Sequence, residues 1–148
     1  MVGIAKTYGL RVHLDGARIF NAAVALKVDP RVLTEGIDSV SFCLSKGLSA
    51  PVGSLVVGNE AFIKKAREVR KLIGGSMRQA GIIAAAGIVA LKTMIDRLEE
   101  DHQKARLLDE RIVTHTPIRV DMKTVQTNIV VADITPRNFD GKCFGETY

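Results

Sequence analysis

A short apolar run, Val40-Ser41-Phe42-Cys43-Leu44, stops at Ser45-Lys46-Gly47 and is soon followed by Pro51. The run reads as a buried strand, and neither glycine nor proline extends regular structure easily. The chain must therefore leave a buried strand through a loop that carries a lysine near its start. Partial desolvation at such an exit frees a nucleophilic amine, although most lysines at strand ends are ordinary surface residues. Upstream, His13-Leu14-Asp15-Gly16-Ala17-Arg18 ends a second strand-like stretch on a carboxylate and a guanidinium.

Around these two stretches the pattern is that of an α/β protein. Val2 to Tyr8 reads as the end of a helix closed by Gly9, and Leu10 to Leu14 as a strand. Helix, glycine, strand is the order of a parallel-sheet unit. Ile19 to Leu26 is alanine-rich and helical, and Asp29-Pro30 opens a short helix to about Glu35. Ser54 to Val57 is a further strand, near enough to Val40–Leu44 to return antiparallel without a crossover. Asn59 caps a helix from Glu60 to about Leu72, Gly74-Gly75 breaks it, and Ser76 with Gln79 reads as a capping box.

A helical pattern then runs to about Ile112. One continuous helix of that length would span roughly 50 Å, so it bridges two domains or is interrupted once. Thr116-Pro117 ends it, Thr127 to Ala132 is the clear later strand, and Asn138 to Tyr148 reads as irregular. The expected organisation is a sheet-rich part over 1–75, a long connecting helix over 76–115, and an incomplete α+β small domain with a divergent tail over 116–148.

Hydrophobic residues make up 47% and charged residues 25% of the 148, the balance of a soluble globular chain. No apolar run approaches the length of a membrane span, and the N-terminus has no secretory pattern. Cys43 and Cys143 give neither a disulfide framework nor a metal spacing. A reduced, cytoplasmic protein without a metal site is expected. The net charge of +5 raises nucleic acid as a partner, and Lys64, Lys65, Arg67, Arg70, Lys71 and Arg78 form a basic cluster. No aromatic residues interleave with them and no reading motif is present. A solvated helix face or a small-anion site is the better account.

A carboxylate at one strand's C-terminal end and an amine at the next would share one edge of a parallel sheet, where open α/β sheets bind ligands. Pyridoxal phosphate needs such a pair: a lysine for its aldehyde and an acidic partner for its ring nitrogen. Arg18 would hydrogen-bond the cofactor's phenolic oxygen or a substrate carboxylate. Each residue also has a commoner role. Asp15-Gly16 alone is a turn or helix cap, Arg18 a surface residue, His13 a satisfied in-strand histidine, and Cys43 core. Spacing and composition leave both readings open.

The segment from His13 to Ala22 (HLDGARIFNA), followed by Ser41-Phe42-Cys43-Leu44-Ser45-Lys46-Gly47-Leu48, resembles the threonine aldolase family. The resemblance continues through Ala50-Pro51-Val52-Gly53-Ser54 and the segment from Gly74 to Gly81 (GGSMRQAG), covering about two-thirds of the chain. It implies a partial large domain of the pyridoxal-phosphate-dependent, aspartate aminotransferase-like fold (type I), with a mostly parallel sheet flanked by helices. It further implies Lys46 as the Schiff-base lysine, Asp15 as the partner of the ring nitrogen, and Arg18 beside the cofactor. Arg78, with Lys71, would lie near an active site, that of a neighbouring subunit included, because these enzymes assemble as dimers of dimers. The implied reaction is retro-aldol cleavage of L-threonine or L-allo-threonine to glycine and acetaldehyde.

Threonine aldolases are considerably longer. Upstream they carry a Gly-rich phosphate-binding segment and a histidine that stacks on the cofactor, and downstream an arginine for the substrate carboxylate. None of these has a counterpart here, and Arg137 sits in no matching motif. The expectation is the middle of an aldolase cut at both ends, with open apolar faces, weak cofactor binding and little or no activity. The alternative is a non-catalytic fragment or isoform that at most pairs with full-length subunits.

Overall fold

A computed structural model describes residues 1–116 and 118–133, and these fall into two compact units divided between Leu98 and Glu99. The first unit opens with helix α1 (Val2–Thr7). Its C-terminus closes by a Schellman motif, with Leu10 N–H donating to Ala5 O at 2.8 Å and Gly9 N–H to Lys6 O at 3.2 Å. Gly9 takes φ +63° to do so, the left-handed region that glycine enters without penalty. Strand β1 (His13–Asp15) is shorter than the expected Leu10–Leu14, and Leu10 is largely exposed. Asp38 ties the entry to β1: it accepts from Val12 N–H at 2.8 Å and pairs with Arg11 at 2.6 Å.

Helix α2 (Ile19–Leu26) and the short α3 (Pro30–Leu33) follow as expected, α3 with Asp29 accepting from Arg31 N–H. Strand β2 (Ser39–Cys43) pairs in parallel with β1, and β3 (Ser54–Gly58) pairs antiparallel with β2. The sheet order is β1-β2-β3. The sheet over the described residues is thus mixed, one pair of each kind. β3 returns antiparallel, as its short connection led one to expect, and only the β1–β2 pair is parallel, as the mostly parallel sheet of the resemblance implied. Helix α4 (Glu60–Leu72) is capped by Asn59, whose side chain accepts from Phe62 N–H at 2.9 Å.

The expected capping box at Ser76 does not form. Helix α5 (Gly81–Thr93) begins later, because Gln79 sits at φ +49° and cannot lie within a helix. The long helix is interrupted once: α5 ends before Met94 and α6 (Leu98–His115) begins four residues on. The turn lets Met94, Ile95 and Leu98 reach the core made by Leu44, Leu48, Ala50 and Ala90. Phe20 and Phe42 join that core edge to face, ring centroids 5.4 Å apart.

In the second unit, His102, Ala105 and Asp109 recur at helical spacing on α6 and are buried, as is Val125. The Asp109 carboxylate finds no hydrogen-bond partner among the described residues. Strands β4 (Arg119–Val120) and β5 (Ala132–Asp133) pair antiparallel around a 3-10 turn at Met122–Thr124. The strand expected over Thr127–Ala132 is therefore reduced to its last residue plus Asp133. Its partner, Arg119–Val120, is only two residues long and offers the rest of it no ladder. Pro117, Arg137, Cys143 and the tail expected to be irregular lie outside the described residues.

Candidate active site

β1 and β2 run parallel, with Asp15 at the end of β1 opposite Ser41, two residues before β2 ends. Asp15 is the last residue of β1, and the chain turns at once. Its Oδ1 accepts from Ala17 N–H at 3.1 Å, so the carboxylate also braces the turn it opens. Three backbone bonds fix that turn: Gly16 N–H donates to Ser41 O at 2.8 Å, Cys43 N–H to Ala17 O at 3.2 Å, and Ile19 N–H to Gly16 O at 2.8 Å. A side chain at Gly16 would stand 3.2 Å from Ser41 O and 3.3 Å from Val40 Cγ1. A side chain there would be tightly packed, and its neighbours on β2 would have to give by a few tenths of an ångström.

The lysine loop is equally constrained. Leu44 N–H donates to Gly53 O, Ala50 N–H to Leu44 O and Ser49 N–H to Lys46 O, all within 3.0 Å. Gly47 presses on the core; a Cβ there would lie 2.7 Å from Leu98 Cδ2 and 3.2 Å from Asn21 Oδ1. Leu48 and Ala50 are buried while Lys46 is exposed. The loop's apolar residues hold it down and its lysine points away. The desolvated lysine considered from sequence is not found in this chain.

Asp15, Arg18 and Lys46 line one open cleft of about 520 Å3, with Leu14, Ile19, Ala22 and Leu33 among its apolar lining residues. This volume suits a small cofactor or ligand. The cleft thus gathers a carboxylate, a guanidinium and an amine from two strand ends and the turn after β1. Leu33, from α3, was not visible in the sequence as a lining residue, since no local pattern ties it to Asp15. Arg78 and Lys71 are not among the lining residues; Arg78 lies exposed in the turn before α5 and Lys71 exposed at the end of α4. His13 bonds through both ring nitrogens, to Ser39 Oγ at 2.9 Å and Ser41 Oγ at 3.5 Å. It is the satisfied in-strand histidine expected.

A family model described as beta-eliminating lyase matches residues 1–135. The chain belongs to that family. The chain is 50% identical over 131 residues to low-specificity L-threonine aldolase 1 of Arabidopsis thaliana, covering 88% of this chain and 37% of that protein. It is 54% identical over 103 residues to the low specificity L-threonine aldolase of Escherichia coli K12, covering 70% of this chain and 31% of that one. The chain therefore spans about a third of the length of these relatives. A solved structure assigned as an L-allo-threonine aldolase of Listeria monocytogenes EGD-E has the same fold over the matched part. Its TM-score is 0.81 at 20% identity, covering 88% of this chain and 36% of that one. The resemblance to threonine aldolases and the partial α/β fold implied by it are borne out.

Proposed function

We propose that the chain carries the lysine-bearing part of a pyridoxal-phosphate-dependent lyase that cleaves L-threonine or L-allo-threonine to glycine and acetaldehyde. The observation that carries this reading is the shared cleft of Asp15, Arg18 and Lys46. Their chemistry fits the cofactor: an amine for an aldehyde, a carboxylate for a protonated ring nitrogen, and a guanidinium for an anionic oxygen. Lys46 would hold the cofactor covalently through its aldehyde. Asp15 would keep a proton on the ring nitrogen, and Arg18 would donate to the phenolic oxygen or to the substrate carboxylate. The bound cofactor supplies an electron-accepting ring for the charge left at Cα when the Cα–Cβ bond breaks. Water exclusion is not provided by this cleft, which is open at Asp15 and Lys46, both exposed. Arg78 is assigned, on the resemblance alone, to the site of a neighbouring copy in a dimer of dimers. A cytoplasmic setting rests on the cysteine usage, which gives no disulfide framework.

The exposure of Asp15 and Lys46 also favours a second reading, in which the chain is not itself catalytic and at most pairs with longer aldolase subunits. One titration separates them. Pyridoxal phosphate added to the purified chain should produce a shifted absorption band that Lys46→Ala abolishes. Release of acetaldehyde from threonine by the same sample supports the lyase; a band without release supports the non-catalytic reading. Absence of a Lys46-dependent band at millimolar cofactor would rule out the site.

A further inference from the structure

β1 is only three residues long and pairs with one strand, so few ladder bonds fix the position of Asp15. Side chains add to them. His13 and Asp15 are two apart on β1 and share one face of the sheet; Ser39 and Ser41, their register partners on β2, lie on the same face. The His13 ring spans two rungs of this parallel pair, with Nδ1 2.9 Å from Ser39 Oγ and Nε2 3.5 Å from Ser41 Oγ. A neutral imidazole offers one donor and one acceptor, and a serine hydroxyl answers either. Ser41 in turn stands opposite Asp15, and its carbonyl accepts from Gly16 N–H at 2.8 Å. The imidazole thus ties the Ser41 side chain, the Ser41 carbonyl separately holds Gly16 N–H, and the Asp15 carboxylate, itself bonded to Ala17 N–H, stands at that anchored turn in the cleft with Lys46.

We propose that His13 is a positioning residue of the cleft: bridging Ser39 and Ser41, it fixes the Asp15 carboxylate where a ring nitrogen must meet it. This deepens the cofactor reading and rests on it. Direct contact with the cofactor is not required of His13, which is not among the lining residues.

The test compares pyridoxal phosphate with a carbocyclic analogue in which C–H replaces the ring nitrogen, so that Asp15 has nothing to hold. Both are titrated into the full 148-residue chain and followed by the Lys46-dependent band. His13→Ala, which removes both imidazole bonds, should weaken pyridoxal phosphate by about tenfold, within the worth of one or two ordinary hydrogen bonds. The same variant should leave the analogue's affinity unchanged. Ser41→Ala, which leaves the imidazole in place, should give the same selective loss in smaller degree. His13→Asn, which retains a donor and an acceptor, should recover part of the affinity for pyridoxal phosphate alone. Equal losses for the two compounds would overturn the positioning role while leaving the cofactor site standing. A chain that forms no Lys46-dependent band with either compound would overturn the site and this role together.

Discussion

His102 is buried on α6, and burial holds its imidazole below the ordinary value of 6.5 despite the nearby carboxylates of Glu99 and Asp101, which favour the charged form. Between the depressed folded value and 6.5, the unfolded chain takes up a proton that the folded chain refuses. Stability from this group is therefore complete above 6.5 and is lost as pH falls below it. Thermal unfolding followed from about pH 8 to about pH 5 should show a falling midpoint in the range where histidine titrates. His102→Gln should flatten that fall; an unchanged profile in the variant would remove His102 as its source.

At the level of elements, the lysine loop depends on Gly47 more than on any regular structure. An alanine Cβ would meet Leu98, which is 1% exposed and has little room to give. Gly47→Ala should lower stability by about 1–3 kcal/mol through overpacking. Gly81→Ala, whose Cβ meets nothing within 4 Å, should be neutral or slightly stabilising. Chemical denaturation of both checks this, and a neutral Gly47→Ala would mean that the loop does not rest on Leu98. Asp15, Arg18 and Lys46 could be read from the sequence because each belongs to a short motif at a strand end. The helices from Ile19 to Leu72 were legible for a similar reason, since Asp29 and Asn59 announce two of them locally. What stayed hidden depends on partners distant in the chain. Sequence periodicity could not show that Gln79 would take a left-handed conformation and delay α5, or that Leu98 would turn into the core and break the long helix. The strand expected at Thr127 shrank because only two residues, Arg119 and Val120, are available to pair with its end.

For the molecule as a whole, the apolar surface is large for a chain of this size. Leu55, Val56 and Val57 are exposed on β3, Leu72 and Ile73 around the end of α4, and Ile82, Ile88 and Val89 on α5. Helix α5 carries one charged residue, Lys92, and a helix apolar on nearly every side belongs inside a larger protein. This agrees with a chain that spans 37% of its plant relative. The isolated chain should bind a hydrophobicity-sensitive dye and self-associate with rising concentration, more strongly in sulfate. Sedimentation as a monomer at all concentrations, without dye fluorescence, would contradict that. The antiparallel return of β3 also bears on the order of assembly. Cys43 and Ser54 face each other across 11 residues, whereas His13 and Ser39 meet across 26. Closing the first of these loops costs about 0.8 kcal/mol less chain entropy than closing the second. The amine is set in a hairpin that can close by itself, and the carboxylate reaches it only by the longer search.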